Sequence, residues 1–459
     1  MGYVLTVLVL ATGISGQESR PPVVAFRLVR ELALTPFGGI PFPLDLDADG
    51  RTEVVWLQGP GMFHSKVFDA SPYKGRFSEA ERNHFCLTAT DVSGKTLWEV
   101  GDPWRADRPF VTHSAERSLD SGDIDGDGAL EVVSVSGSEL LVIEAVTGVV
   151  EKRLDMPADN AQIVRVARTG PGPRDWTLLV KNAEAAYAPY EYANPAWFYD
   201  AELRLIKTAE YRGAGHTPDI GDLDADGFDE FVIGFNLVDN DLTTLWSFYP
   251  VPEDAWDAGE MHADDIVVGN LSGRSCVVYA ASDTTYVLDA ANGQLLWKRK
   301  STHPQHCQIG DFAPALQGNE VFVHNKRAEL QLLDSAGNEI WRMMPPENFP
   351  FGTSTACKRQ KLHVFDPTTQ LHGAGEGRTD LLVFTDGGWP YAISGRGERC
   401  LEFPHMPNIA QDWGEVPGRP DDYGYGFYAR AADFDGDGER EVLISDRRYA
   451  WLYEPDRER

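Results

Sequence analysis

Short runs of Val, Ile, Leu and Phe recur along the whole chain, separated by acidic loops and glycine-rich turns. The clearest unit spans 213–246, where three apolar runs are followed by Leu245 and Trp246. Runs that are this short and rich in β-branched and aromatic residues are typical of antiparallel strands joined by tight connections. The pattern over 213–246 therefore predicts one four-stranded sheet.

Similar units recur at irregular spacings of roughly forty to eighty residues, the signature of a radial repeat. We count eight units, which predicts an all-β fold with a single β-propeller; seven blades is the alternative count. The last unit, 427–454, has only three apolar runs, and the run at 23–29 belongs to no unit. We expect this N-terminal strand to supply the missing fourth strand and close the propeller. Closing pairs such as Leu97 with Trp98 and Ile340 with Trp341 are predicted to be core.

Four units contain an acidic loop of the form Asp-x-Asp-x-Asp-Gly-x-x-Glu. Oxygen ligands at every second position, with a glycine that lets the chain turn inside the ligand cage, suit Ca²⁺. Because a single loop supplies all the ligands, we expect structural rather than catalytic metal sites. The predicted ligands are Asp45, Asp47, Asp49, Glu53, Asp123, Asp125, Asp127, Glu131, Asp222, Asp224, Asp226, Glu230, Asp433, Asp435, Asp437 and Glu441.

The chain is strongly acidic, with 71 Asp and Glu against 41 Lys and Arg and a net charge of −30. This balance excludes nucleic acid as a partner, because a phosphate backbone requires a basic face. The five cysteines are odd in number and lie in different units, so no disulfide framework is expected. We expect a monomer.

The N-terminus reads as a targeting segment. Its apolar run, from Tyr3 to Leu10, is too short to span a bilayer and leads into small residues suited to signal-peptidase cleavage. We therefore predict a signal peptide over 1–16, a propeller over 17–459, and a secreted or periplasmic protein. No other apolar stretch is long enough for a membrane helix, so no membrane partner is expected.

Departures from the repeat are where function is expected, since loops on a rigid scaffold carry binding and catalysis. The first unit has the largest insertion, which contains His64 and His84, and the third unit has a tyrosine-rich one. Other groups stand just ahead of inner strands, among them His262 with Asp264. Matching positions of successive blades ring one mouth of a central funnel, where such groups could hold a carboxylate and exchange protons. The candidate substrate-binding residues are Arg117, Tyr187, Tyr192, Arg212, His216, His262 and His306.

At these residues the chain resembles the propeller polysaccharide lyases: rhamnogalacturonan lyases, ulvan lyases and L-rhamnose-α-1,4-D-glucuronate lyases. The matching stretches are 215–246, 262–271 and 303–312, together with two histidines twenty apart ahead of the segment CLTATD. The resemblance implies a catalytic pair at His64 and His84, with a tyrosine and an arginine from neighbouring blades. It also implies either seven blades, as in the ulvan-type relatives, or eight, as in the rhamnogalacturonan lyases.

The reaction implied is β-elimination on an anionic, uronate-containing polysaccharide. On this hypothesis His84 takes the C5 proton and then protonates the leaving oxygen, while His64 and an arginine neutralise the carboxylate. Tyr190 is the alternative acid. Two other functions remain open. One is an α-L-rhamnosidase-like hydrolase on the same scaffold, and the other is a non-catalytic, Ca²⁺-stabilised binding propeller.

Overall fold

The computed structural model describes residues 25–34, 39–59, 84–103, 117–136, 138–158, 161–183, 190–257, 261–313, 315–325, 329–345, 368–374, 379–385, 389–403, 427–445 and 449–456. Strands dominate this part of the chain, and one short 3₁₀ turn lies at Glu253–Ala255. Among the described residues, no helix has the length and apolar character needed to cross a membrane.

The described strands form eight antiparallel sheets of four strands each. In chain order, β1 (Phe26–Ala33) is followed by blade 1 (β2 Ile40–Leu44, β3 Glu53–Gln58, β4 Cys86–Thr90, β5 Thr96–Gly101), blade 2 (β6 Leu119–Gly122, β7 Glu131–Val135, β8 Glu139–Glu144, β9 Val150–Asp155), blade 3 (β10 Ile163–Arg168, β11 Trp176–Lys181, β12 Ala196–Asp200, β13 Leu205–Ala209), blade 4 (β14 Asp219–Gly221, β15 Glu230–Ile233, β16 Asn236–Val238, β17 Thr244–Ser247), blade 5 (β18 Ala263–Leu271, β19 Arg274–Ala281, β20 Thr284–Asp289, β21 Leu295–Lys300), blade 6 (β22 Pro304–Gly310, β23 Glu320–Asn325, β24 Leu330–Leu333, β25 Glu339–Met343), blade 7 (β26 Thr368–Leu371, β27 Leu381–Phe384, β28 Tyr391–Ile393, β29 Arg399–Glu402) and blade 8 (β30 Tyr428–Ala432, β31 Glu441–Ser445, β32 Tyr449–Pro455).

The propeller closes through the N-terminal strand. Strand β1 pairs antiparallel with β32, from Phe26 opposite Pro455 to Ala33 opposite Tyr449, and so becomes the outer strand of blade 8. The predictions of eight units and of an N-terminal strand that completes the last one are confirmed. Pairing both termini in one sheet removes the exposed edges that a linear array would leave.

Neighbouring blades are joined at their outer strands by a repeated hydrogen bond. The indole N–H of Trp98 in blade 1 donates to the carbonyl of Ala145 in blade 2 at 2.7 Å. Trp246, Trp297 and Trp341 make the same bond to the next blade, and Lys152 and Lys207 replace the tryptophan with an ammonium donor. The recurring tryptophan is therefore a clamp between blades.

The sequence predicted that both residues of each closing pair belong to the core, and the structure shows that this is wrong for one residue of each pair. Trp98 is buried, but its neighbour Leu97 is 43% exposed, and Ile340 beside Trp341 is 37% exposed. Successive residues of a strand point to opposite sides of the sheet. On an outer strand only the residue facing the next blade can be buried, so the apolar partner of each tryptophan lies in solvent.

The two faces of the propeller differ in the connections they carry. Because neighbouring strands are antiparallel, connections alternate between faces along each blade. We call the face with the links between blades and between second and third strands the upper face. The lower face carries the links between first and second strands. All four Asp-x-Asp-x-Asp-Gly loops join first to second strands, and so they lie on the lower face.

Candidate functional site

Each acidic loop on the lower face brings three side-chain oxygens close together. Oxygens of Asp45, Asp47 and Glu53 lie within 4.8 Å of one another, and the last loop groups Asp433, Asp435 and Glu441 in the same way. In the other two loops the three close oxygens belong to the three aspartates. Two ligands on opposite sides of a Ca²⁺ ion at about 2.4 Å are about 4.8 Å apart. The loops can therefore hold a metal ion of this size.

The glutamate that ends each loop has a second role. Its carboxylate accepts the backbone N–H seven residues earlier, as Glu230 does from Leu223 at 2.6 Å. Burial raises the pKa of Glu131, Glu230 and Glu441 to about 7, and backbone hydrogen bonds oppose the shift only in part. A bound cation would favour the ionised form instead, so these glutamates link metal binding to pH.

The upper face contains a different cluster, built by blades 4 and 5. The Nε2 atoms of His216 and His262 each lie 3.5 Å from the same oxygen of Asp264, Oδ1. All three residues are buried, and one ligand atom from each lies within 4.8 Å of the others. Sequence reasoning placed both histidines at the funnel mouth and noted Asp264, but did not identify it as their shared partner.

A close crossing of two backbone segments makes this cluster possible. The N–H of His216 donates to the carbonyl of Ala263 at 3.0 Å, and the N–H of Ala263 donates to Gly213 at 3.2 Å. Gly215 has a φ of 54°, and a Cβ there would stand 1.8 Å from the Ala263 carbonyl oxygen. Glycine is thus required at 215, because any side chain would push the segment with His216 away from blade 5.

Residues from blades 3 and 6 surround the cluster. The ring of Tyr192 lies 4.8 Å from that of His262, centroid to centroid. From blade 6, the Gln305 amide donates to Asp264 Oδ1 at 2.9 Å, and His303 Nε2 lies 3.9 Å from Asp264 Oδ2. The His303 side chain is 38% exposed, so a half-exposed imidazole stands beside a buried carboxylate. The His303 backbone has a positive φ of 64°. Neither His303 nor Gln305 was among the candidate residues predicted from the sequence, although both belong to the matching stretch 303–312.

Asp264 stays ionised despite its burial. Desolvation by itself would raise its pKa, but the hydrogen bond from His262 and the charges of His216, His262 and His303 outweigh it and lower the pKa below the ordinary value. Two imidazoles and a carboxylate are a donor set that divalent first-row ions accept. Ligands about 2.1 Å from a tetrahedral ion lie about 3.4 Å apart, close to the 3.5 Å measured here. The donor set therefore fits a divalent cation.

Arg212 lies on the connection that leads to His216, and its guanidinium packs on two aromatic rings. Its guanidinium lies 4.9 Å from the ring centroid of Tyr249 and 5.4 Å from that of Trp256. Tyr249 is 49% exposed. The sequence offered Arg212 as a candidate substrate-binding residue. The structure places it in a cation–π stack on the same upper face, and its part in substrate binding stays a prediction.

Two other residues predicted to bind substrate, Arg117 and His306, lie near a second buried carboxylate, that of Asp265. Asp265 Oδ2 lies 3.8 Å from His306 Nδ1 and accepts the N–H of Cys307, and Arg117 is close enough to act on Asp265 electrostatically. Burial raises the pKa of Asp265 to about 7, with the hydrogen bond from Thr217 and the charge of Arg117 opposing the shift. Arg117 and His306 thus both lie near the carboxylate of Asp265, the residue next to Asp264 of the His216 cluster.

His84 lies in blade 1, on the connection between the second and third strands, and so also on the upper face. Its Nε2 is 3.3 Å from the side-chain oxygen of Gln58. Burial lowers its pKa, and the charge of Asp102 opposes that shift. Tyr190 is half-buried on the corresponding connection of blade 3. His64 and Tyr187 lie outside the described residues, so the catalytic pair and Tyr190 stay predictions.

The sequence profile described as "Rhamnogalacturonan lyase family 11, C-terminal domain" matches residues 183–361. This stretch runs from the middle of blade 3 through blade 6, and it contains His216, His262, Asp264, His303 and Gln305. A comparison with curated protein sequences gives no match.

Several solved structures resemble the whole propeller. A rhamnogalacturonan lyase PL11 from Bacillus licheniformis superposes with a TM-score of 0.57 at 14% identity, over 95% of this chain and 74% of that one. The exotype rhamnogalacturonan lyase YesX gives 0.58 at 15%, over 95% and 75%. The V. cholerae biofilm matrix protein Bap1 gives 0.55 at 11%, over 95% and 92%. At such identities the superpositions establish the fold, and together with the family profile they confirm the predicted resemblance to propeller polysaccharide lyases.

Proposed function

We propose that this β-propeller protein is a polysaccharide lyase that cleaves a uronate-containing polysaccharide of the rhamnose–uronate type by β-elimination at its upper face. The observation that carries the proposal is the buried group of His216, His262 and Asp264, with the half-exposed His303 at its edge. The family profile covers all four residues. Rhamnogalacturonan, after which the family profile and the two similar lyase structures are named, is the first substrate to test.

The proposed reaction begins with a uronic acid substituted at O4. A base removes the proton on C5, the electron pair forms the C4–C5 double bond, and the C4–O4 bond breaks. The leaving oxygen takes a proton, so the products are a shorter chain and an unsaturated uronate. The C5 proton is acidic enough only if the charge that develops on the carboxyl group is stabilised. A lyase site therefore needs a carboxylate-binding group, a base and an acid.

We assign the carboxylate-binding side to the His216 cluster. A divalent cation held by His216, His262 and Asp264 would bind the uronate carboxylate and stabilise the charge developing on it. Asp264 supplies a negative charge to hold the cation. Gln305, from the next blade, fixes the Asp264 carboxylate by a hydrogen bond. The ring of Tyr192 limits movement of the His262 imidazole.

Proton transfer has two candidate positions. His303 is the described histidine that lies both beside the cluster and partly in solvent, so a bound sugar can reach its imidazole. His84, predicted from sequence as the base, lies in blade 1 and is kept neutral by burial. A neutral imidazole is the form that accepts a proton.

Exposed Tyr249 beside Arg212 offers a flat surface on which a neighbouring sugar ring can pack.

We also propose that the lower-face loops bind Ca²⁺ as structural ions, because all their ligands are oxygens from one short segment. Export is proposed as well, since a polysaccharide substrate is met outside the cell. The segment that would direct export, 1–16, lies outside the described residues.

The deciding experiment incubates the purified protein with rhamnogalacturonan, ulvan and gum arabic while the near-ultraviolet absorbance is recorded. A rise in absorbance is expected on at least one of them, because the product contains a conjugated double bond. New reducing ends without absorbance would favour the rhamnosidase-like hydrolase. Binding with neither signal would favour the non-catalytic propeller. Carboxyl-reduced substrate is the matched control, and equal turnover of it would contradict carboxylate recognition.

A further inference from the structure

A lysine behind the His216 cluster has no place in the proposed chemistry and is entirely buried. Lys181 ends the second strand of blade 3, and its relative exposure is 0%. Lysine is among the residues least often found fully buried without an acidic partner. Among the described residues, no carboxylate forms an ion pair with Lys181. Its surroundings therefore call for another explanation.

The Lys181 ammonium is bound by backbone carbonyls. Nζ donates to the carbonyl of Asn182 at 2.6 Å, to that of Gly215 at 2.8 Å and to that of His216 at 3.3 Å. Burial lowers the pKa of Lys181 to about 7. In its protonated form the group has three N–H donors and no acceptor, so these three carbonyls use its full hydrogen-bonding capacity. Two of them belong to the segment that presents His216 to the cluster. The lysine thus connects blade 3 to the part of blade 4 on which the cluster depends.

We propose that Lys181 is a positioning residue that fixes the Gly215–His216 peptide and thereby aims the His216 imidazole at Asp264. The inference rests on the proposed function, because it gives the cluster a supporting group. The same peptide is held from the other side, where the N–H of His216 donates to Ala263. With both its N–H and its carbonyl bound, this residue has little freedom to rotate. Groups that orient a metal-binding histidine commonly change affinity by 10- to 100-fold when they are removed.

The test compares Lys181→Met with Lys207→Met. Methionine has a similar length but no donor, so Lys181→Met frees the carbonyls of Gly215 and His216. Lys207 makes the same kind of bond, from Nζ to the Leu242 carbonyl at 2.5 Å, but it does so in a turn of the lower face. The readouts are the melting temperature, titration with Zn²⁺, Mn²⁺ and Ca²⁺ after chelation, the imidazole NMR signals of His216, and kcat and KM on the substrate that is found. The His216 signals are assigned with His216→Gln.

We expect Lys181→Met to shift the His216 imidazole signals, to weaken cation binding by about 10-fold or more, and to lower kcat more than it raises KM. Lys207→Met should leave all three unchanged. Wild-type signals, affinity and kcat in a folded Lys181→Met variant would overturn the proposal. If that variant does not fold, Lys181→Gln keeps an N–H donor group and is judged by the same criteria.

The two proposals fail in different ways. If the wild type binds no cation at this cluster and cleaves no uronate, the proposed function is wrong. The positioning role of Lys181 is then still decided by the His216 imidazole signals, which do not depend on either activity. If the wild type is active and the signals are the same in Lys181→Met, only the positioning role is wrong.

Discussion

The imidazole ring of His216 lies 5.3 Å from that of His262, centroid to centroid, at an interplanar angle of 63°. The two residues come from consecutive blades, and both direct Nε2 at one oxygen of Asp264. Neither blade could form this arrangement alone. The proposed active site is therefore a property of the interface between blades 4 and 5.

Replacing His262 by alanine should abolish most of the activity while the blades stay folded. We expect kcat/KM to fall by about 10²-fold or more, the scale for loss of a group that acts on the reacting centre. His372→Ala is the control, because His372 pairs with Asp380, is 52% exposed and follows an inner strand on the lower face. Circular dichroism checks the fold of both variants. Equal activity in the two variants would remove the cluster from the mechanism.

The lowered pKa of His84 leads to a separate prediction about the pH dependence of kcat/KM. Burial lowers its pKa, with the charge of Asp102 opposing the shift, so the neutral base persists below the ordinary histidine value of about 6.5. If His84 is the base, the acid limb of the kcat/KM profile should lie below that value and disappear in His84→Ala, together with about 10²-fold of the rate. Gln58→Ala removes its described side-chain partner and should move the limb without abolishing turnover. An unchanged profile in His84→Ala would exclude this residue and favour His303.

Stability should depend on pH in opposite ways with and without Ca²⁺. In the chelated protein, burial raises the folded-state pKa of Glu131, Glu230 and Glu441 to about 7, above the ordinary value near 4.5. Their contribution to stability is then fully present below about 4.5 and is lost as the pH rises through about 7. Ca²⁺ binds the ionised carboxylates, so its stabilisation should grow over the same range.

The measurement is the melting temperature from pH 5 to 8, with EDTA and with excess Ca²⁺. We expect the two curves to diverge as the pH rises. Asp226→Asn, in one loop, should reduce the divergence, whereas Asp241→Asn, an exposed aspartate outside the loops, should not. Identical curves in EDTA and Ca²⁺ would contradict structural calcium.

The clamp between blades predicts a local loss of stability. Trp98→Phe keeps an aromatic ring but removes the N–H that bonds to the Ala145 carbonyl. A buried carbonyl without its donor costs about 1–3 kcal/mol. Leu97→Ala, on the exposed side of the same strand, should stay within about 0.5 kcal/mol of wild type. Denaturant unfolding measures both, and a larger effect at Leu97 than at Trp98 would contradict the clamp.

Much of the fold follows from the sequence because each blade repeats the same short-range pattern. Apolar runs predict strands locally, and the count of units and the unpaired run at 23–29 predict the closed ring. The burial of Leu97 was predicted wrongly because apolar character alone does not tell which side of an edge strand meets the next blade. Only the packing of neighbouring sheets decides this.

The site was less predictable for a related reason. Histidines ahead of inner strands could be recognised by their repeat position, and on this basis His216 and His262 were predicted as candidate substrate-binding residues. Their convergence on Asp264 depends on the close approach at Gly215 and on bonds from Lys181 and Gln305, which belong to other blades. Contacts between residues so distant in sequence leave no local pattern. A buried lysine, in particular, looks in the sequence like any strand-end lysine.

The effect of salt on activity should depend on two opposing interactions with the substrate, a long-range repulsion and a short-range attraction. The net charge of −30 repels a polyanionic substrate over long distances, whereas carboxylate binding at the cluster acts at contact. Salt screens charges beyond about 8–10 Å at physiological ionic strength, so it weakens the repulsion first. We expect KM for a uronate polysaccharide to fall modestly as salt rises from about 0.01 to 0.15 M, with kcat nearly constant. The carboxyl-reduced polysaccharide should bind without this dependence, because it carries no charge to be repelled. If KM instead rises steeply over this range, attraction to a basic surface dominates. The uronate would then be bound mainly by surface charge, and the His216 cluster would not be its principal binding group.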